Sequence, residues 1–125
     1  MGLENLHAAV TEVALAKLLL AQQRNTEAEK LLETAIPVLE RTQKPDNPDV
    51  AIALVNLAEA YRIEGRYVKA EPLYHRALDM IEQRPALRTA EIRLCLSHFP
   101  QMLRQMKRKA EAHRLDTRIK SILPK

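Results

Sequence analysis

The chain has 125 residues, 46% of them apolar, a formal charge of +4, two glycines, three tyrosines, one phenylalanine and no tryptophan. That apolar share excludes a disordered chain, and the scarcity of turn-formers and aromatics argues against a β sandwich or barrel and for packed helices. Cys95 is the only cysteine, which excludes an internal disulfide framework and a cysteine-built zinc site. The longest apolar run, Ala14 to Ala21, is broken by Lys17, falls short of the roughly 20 residues a membrane span needs, and follows no basic signal-peptide region. Leu6 stands where a myristoylation signal wants Ser or Thr. A reducing cytoplasm is the expectation.

In chain order, apolar periodicity and end signals predict six helices, near 3–22, 25–42, 48–64, 67–84, 89–106 and 109–122. In the third, Asn47 serves as N-cap, Pro48 takes the first position and Asp49 sits near the positive dipole end. Gly65 ends that helix in the left-handed conformation. Thr89 and Glu91 repeat the start signal in the fifth helix. Pro100 removes a hydrogen bond there, so the fifth helix is expected to kink near Ser97 to Phe99 or to split into two pieces. Sliding the chain by 42 residues aligns Arg24, Arg66 and Arg108, then Ala28, Ala70 and Ala112, then Leu31, Leu73 and Leu115. The same offset aligns Val10, Ile52 and Leu94, then Leu15, Leu57 and Phe99, then Leu19, Tyr61 and Leu103. The chain is therefore three copies of a helix pair, and pairs that cannot bury their apolar faces alone must stack.

The run from Leu54 through Leu57, Ala58, Tyr61, Gly65, Arg66, Tyr67, Ala70 and Tyr74 to Ala77 resembles the tetratricopeptide repeat (TPR). The 42-residue period, Asn47-Pro48-Asp49-Val50-Ala51 and Ala70-Glu71-Pro72-Leu73-Tyr74 resemble its kinesin-light-chain subtype. The match weakens in the first unit, where Gln23 replaces Gly, and in the third, where Lys107 replaces it and Pro100 replaces a small residue. The resemblance implies an all-α, right-handed α-solenoid in one domain, residues 1–125, with units near 5–46, 47–88 and 89–125. It implies a concave surface lined by the first helix of each unit, and hence a protein-protein interaction module. Carried onto this chain, the peptide-binding groove comprises Lys17, Val55, Asn56, Glu59, Arg62, Ile63, His98, Gln101 and Arg104. Asn56 matches the asparagine that commonly holds a bound peptide's backbone. Val13 and Leu94 stand where a carboxylate clamp wants lysines, which argues for an extended segment with apolar and acidic side chains instead.

Two further surfaces suggest partners. Leu6, Val10, Val13, Leu18 and Leu20 make the first helix apolar nearly all round, which predicts a cover for it: a target protein, a further repeat ahead of it, or, as an alternative function, a second copy in a homodimer. Charge is uneven, with residues 1–85 at net −3 and 86–125 at net +7. Lys107, Arg108, Lys109, Arg114, Arg118, Lys120 and Lys125 could dock a polyanion, or simply keep a terminal repeat soluble. No aromatic residue suited to base stacking lies there, which argues against nucleic acid. No catalytic site, metal or cofactor is expected: His7, His75, His98 and His113 lack paired spacing, Cys95 near His98 reads as a buried structural thiol, and no phosphate-cradling glycine loop exists. Glu27, Glu29 and Glu33 read as a solvated helix face.

Overall fold

The structure, a computed structural model, describes residues 2–42 and 48–123, with side chains from Asn5 onward. It is built from α1 (Gly2–Ala21), α2 (Asn25–Thr42), α3 (Pro48–Ile63), α4 (Tyr67–Gln83), a single 3-10 turn at Pro85–Leu87, α5 (Ala90–Gln105) and α6 (Lys109–Ile122). No strand occurs among the described residues. The expected cap at Asn47 lies outside them. Thr89 does cap α5, its hydroxyl accepting from the Ile92 amide at 3.2 Å.

The repeat is legible in the backbone. Gln23, Gly65 and Lys107, each 42 residues apart, all take positive φ (64°, 77° and 63°). Each closes the preceding helix with the same pair of bonds. Arg24, Arg66 and Arg108 donate to the carbonyls of Leu19, Tyr61 and Leu103 at 2.8–2.9 Å, and the positive-φ residues donate to those of Leu20, Arg62 and Arg104 at 2.9–3.0 Å. This is the Schellman arrangement, and only one of its three copies has glycine. The carbonyls of the same arginines then accept from Ala28, Ala70 and Ala112, starting the second helix of each unit.

Helix α1 packs on α2, α3 on α4 and α5 on α6, while α2 packs on α3 and α4 on α5. The result is an α-solenoid with α1, α3 and α5 in an inner layer and α2, α4 and α6 in an outer one. Ala16, Ala28, Ala58, Ala70 and Ala112 are fully buried, which lets backbones approach closely across each pair. The central helix α3 is covered on both sides and buries nearly every residue from Val50 to Tyr61. At the second junction Phe99 is fully buried, stacked on Tyr74 (5.0 Å, 16°) and edge-on to His75 (4.9 Å, 87°).

One alternative is excluded and one expectation needs correction. Helix α5 is not split: it runs unbroken through Pro100, as α2 and α4 run through Pro37 and Pro72. Pro100 is buried, as are Phe99 and Met102 beside it in the helix, so tertiary packing holds the helix where one hydrogen bond is missing. Nor is Glu29 solvated. It is 5% exposed, and its carboxylate accepts from Arg66 Nη1 at 3.3–3.4 Å across the first junction.

Candidate functional site

Helical spacing places Val10, Ala14, Lys17 and Ala21 along one side of α1. Forty-two residues later come Ile52, Asn56, Glu59 and Ile63 on α3, then Leu94, His98, Gln101 and Gln105 on α5. Contacts between these rows show that they share the inner face. Lys17 Nζ lies 3.1–3.2 Å from the Glu91 carboxylate, an ion pair from α1 to α5 that passes over α3. Helices packed side by side at 8–10 Å set the axes of α1 and α5 about 16–20 Å apart in a flat layer, a gap that curvature toward this face shortens. The inner face is concave.

Its centre is a buried polar network. Glu59, 8% exposed, accepts from the Tyr74 hydroxyl at 2.7 Å and from Arg62 Nη2 at 2.7 Å. His98 Nδ1 lies 2.9 and 3.0 Å from the two Glu59 oxygens, within hydrogen-bonding distance of both. The second unit is thereby tied to the third. Burial, reinforced by the Glu59 charge, pushes the Tyr74 phenol far above its ordinary value. Arg62 Nε is buried without a partner among the described residues. Asn56, 7% exposed, donates Nδ2 to the Ile52 carbonyl at 2.8 Å and to Glu91 at 3.3 Å.

The nine residues read as groove therefore fall into three groups. Lys17, Ile63, His98, Gln101 and Arg104 reach the surface, Arg104 paired with Asp116 of α6. Asn56, Glu59 and Arg62 belong to the network beneath. Val55 is fully buried and lines no groove. Apolar surface flanks the network on both sides: Val10 and Leu94 are 41% and 63% exposed on one, Ile63 51% on the other. Between α1 and α3 a cleft of about 140 Å³ is lined by Val10, Val13, Ala14, Lys17, Asp49 and Ile52.

The residues read as a self-association surface do not share a face. Val13 is buried, Leu6 and Leu20 pack against the core, Val10 belongs to the concave side, and Leu18 is 55% exposed about 80° round the helix from Val10. Two residues of the basic end are paired across to other helices: Arg108 binds Glu71 and Glu111, and Arg118 binds Asp79 and Glu82. Cys95 is buried, and its thiol is pushed up to about 12, first by burial and then by the Glu59 and Glu91 carboxylates, which keeps it protonated. Glu91 and Tyr74 had no functional signal in the sequence. Glu91 read as a helix-start acid and Tyr74 as core; the packing of α4 on α3 brings Tyr74 to Glu59, and that of α5 on α3 brings Glu91 to Asn56.

A family model described as tetratricopeptide repeat matches residues 7–83. The chain belongs to the tetratricopeptide repeat family. The matched stretch spans the first two helix pairs, and the third TPR unit follows by the 42-residue offset and the shared turn geometry. A comparison with curated proteins finds no match. TPR units generally mediate protein-protein interaction and are typically non-catalytic. Among the described residues no group of His, Cys, Asp and Glu could hold a metal ion, and no helix is long and apolar enough to cross a membrane.

Proposed function

We propose that this TPR chain is a non-catalytic adaptor or scaffold whose concave face binds a segment of another protein bearing apolar and acidic side chains. The observation that carries the reading is the row Val10, Ile52 and Leu94. It places one apolar side chain from each inner helix in line, with Leu94 63% exposed and Lys17 two helical turns beyond Val10. Apolar surface held open on a rigid concave layer is what an extended segment would cover, and Lys17 supplies a cation for its carboxylate. Asn56 and Glu59 then act from beneath, fixing the α3–α5 spacing that sets the groove's width. The three units, near 5–46, 47–88 and 89–125, serve as one domain in this reading, and the 42-residue period supports a kinesin-light-chain-like arrangement.

The test is an array of decapeptides rich in leucine and glutamate, followed by titration of the best binders. Leu94→Glu and Lys17→Glu should each weaken binding at least tenfold, while Lys120→Glu on α6 should leave it unchanged. Binders that tolerate both concave-face changes would refute the reading.

A further inference from the structure

The two internal junctions define what each TPR unit presents to the unit before it. In the second unit Leu57, Ala60 and Tyr61 are buried, and Arg66 takes Glu29 of α2. In the third, Phe99, Met102 and Leu103 are buried, and both terminal nitrogens of Arg108 hold Glu71 of α4 at 2.7–2.8 Å. Glu29 and Glu71 are themselves 42 residues apart, so the carboxylate-to-arginine bridge is a repeated feature of the junction.

The first unit carries the same face. Its counterparts are Leu15, Leu18, Leu19 and Arg24, with Leu15 and Leu18 45% and 55% exposed. Leu15, Leu19, Arg24, Glu27, Lys30 and Leu31 line a cavity of about 390 Å³ there. Arg24 holds Glu27 three residues on, as Arg108 holds Glu111. The nitrogen that in Arg108 meets Glu71 at 2.7 Å meets, in Arg24, only the Gln22 amide oxygen at 3.4 Å among the described residues. The apolar half and the charged half of a junction are both present, and the helix that completes it elsewhere in the chain is the second helix of a preceding unit.

We propose that this end of the solenoid docks an acidic amphipathic helix from a partner protein, seated as α2 and α4 seat on α3 and α5. Shared residues of α2 and α4 give the helix its chemistry. An alanine is followed by a glutamate for Arg24, then by a large apolar residue three positions on, as in Ala28-Glu29-x-x-Leu32 and Ala70-Glu71-x-x-Tyr74. A second copy fits poorly. Stacked head to tail, its α6 would offer His113 where the glutamate belongs, and Asp116 where Leu32 and Tyr74 stand. Joined about a two-fold axis, it would bring Arg24 and Lys30 of both chains to one apolar seam.

The probe is a fluorescent peptide of residues 67–83, stapled between positions 72 and 76 on its exposed side, with a Glu71→Gln version and a scrambled one. The full chain should bind the native peptide, and the Glu71→Gln peptide several-fold more weakly. Arg24→Gln in the chain should erase that preference, and Leu18→Gln or Leu15→Ser should weaken both peptides at least tenfold. Leu94→Glu on the concave face should change nothing, which separates this surface from the groove. Equal binding of native and scrambled peptides would overturn the proposal, as would no binding at all or insensitivity to Leu18 and Leu15. So would sedimentation showing a dimer that the peptide dissociates, since the occupant would then be a second copy.

Discussion

Glu59→Ala tests whether the polar centre of the concave face holds the solenoid together. The substitution strips the acceptor from the buried Tyr74 hydroxyl, and a buried unsatisfied donor costs about 1–3 kcal/mol. It also leaves Arg62, 24% exposed and already lacking a partner at Nε, without its paired carboxylate. Removing one partner of a buried pair costs about 3–5 kcal/mol, and the residual exposure of Arg62 lets water recover part of that. The expected loss is therefore about 3–4 kcal/mol, a large fraction of the roughly 5–15 kcal/mol that stabilises a typical domain. Urea denaturation followed by circular dichroism measures it directly, and the melting temperature should fall by about 10–15 °C. Glu59→Gln keeps an acceptor for Tyr74 but gives up the charge, and should cost about half as much. A cycle combining Glu59→Gln with His98→Ala isolates the bond between the second and third units, with an expected coupling of about 0.5–3 kcal/mol. A loss below 1 kcal/mol for Glu59→Ala, with an unchanged denaturant slope, would refute the reasoning.

The turns give a second prediction. Gln23→Gly and Lys107→Gly should each raise stability by a few tenths to about 1 kcal/mol, since the left-handed conformation costs a side chain about 1–2 kcal/mol and glycine's added chain entropy offsets part of the relief. Gly65→Ala should lose about 1 kcal/mol for conformational reasons alone, because a Cβ there meets nothing within 4 Å; thermal melts of the three variants should show opposite signs. Glu29 gives a pH dependence. Burial, then the hydrogen bond and charge of Glu64, raise its carboxyl from 4.5 to about 7 against the pull of Arg66. The folded chain thus binds an extra proton between those values. Its contribution to stability is full below pH 4.5 and is lost as pH rises through 7. Glu29→Gln should flatten the stability profile over that window, and an unaltered slope in denaturation at pH 4.5, 6 and 8 would contradict the assignment.

Helix positions were legible because a 42-residue offset repeats every apolar stripe, and ends marked by Gly65 and Thr89 match the observed boundaries within a residue or two. The left-handed turns at Gln23 and Lys107 were not, since neither residue type advertises positive φ; the repeat register alone could have placed them beside Gly65. Val55 is placed in the groove by the family resemblance, not by spacing, since neighbouring residues on a helix point about 100° apart. Yet in a curved inner layer that side of α3 turns toward α5, and the residue is buried. Asn56 and Glu59 were recognised as belonging to the concave face, but their partners come from α4 and α5. No local pattern reveals which distant side chain a buried carboxylate will meet. Glu29 was missed for the same reason, its surroundings being supplied by Arg66 of the next unit.

The Lys17–Glu91 ion pair gives the arc a mechanical property that nearest-neighbour stacking does not. It joins the first unit to the third, so bending the solenoid strains a tie between its ends as well as the two junctions. Both side chains are partly exposed, at 43% and 32%, and a tie of that kind is worth at most about 1 kcal/mol. The tie acts as a weak clasp on a stiff spring: it favours one curvature, yields cheaply when a competing carboxylate takes Lys17, and closes again when that carboxylate leaves.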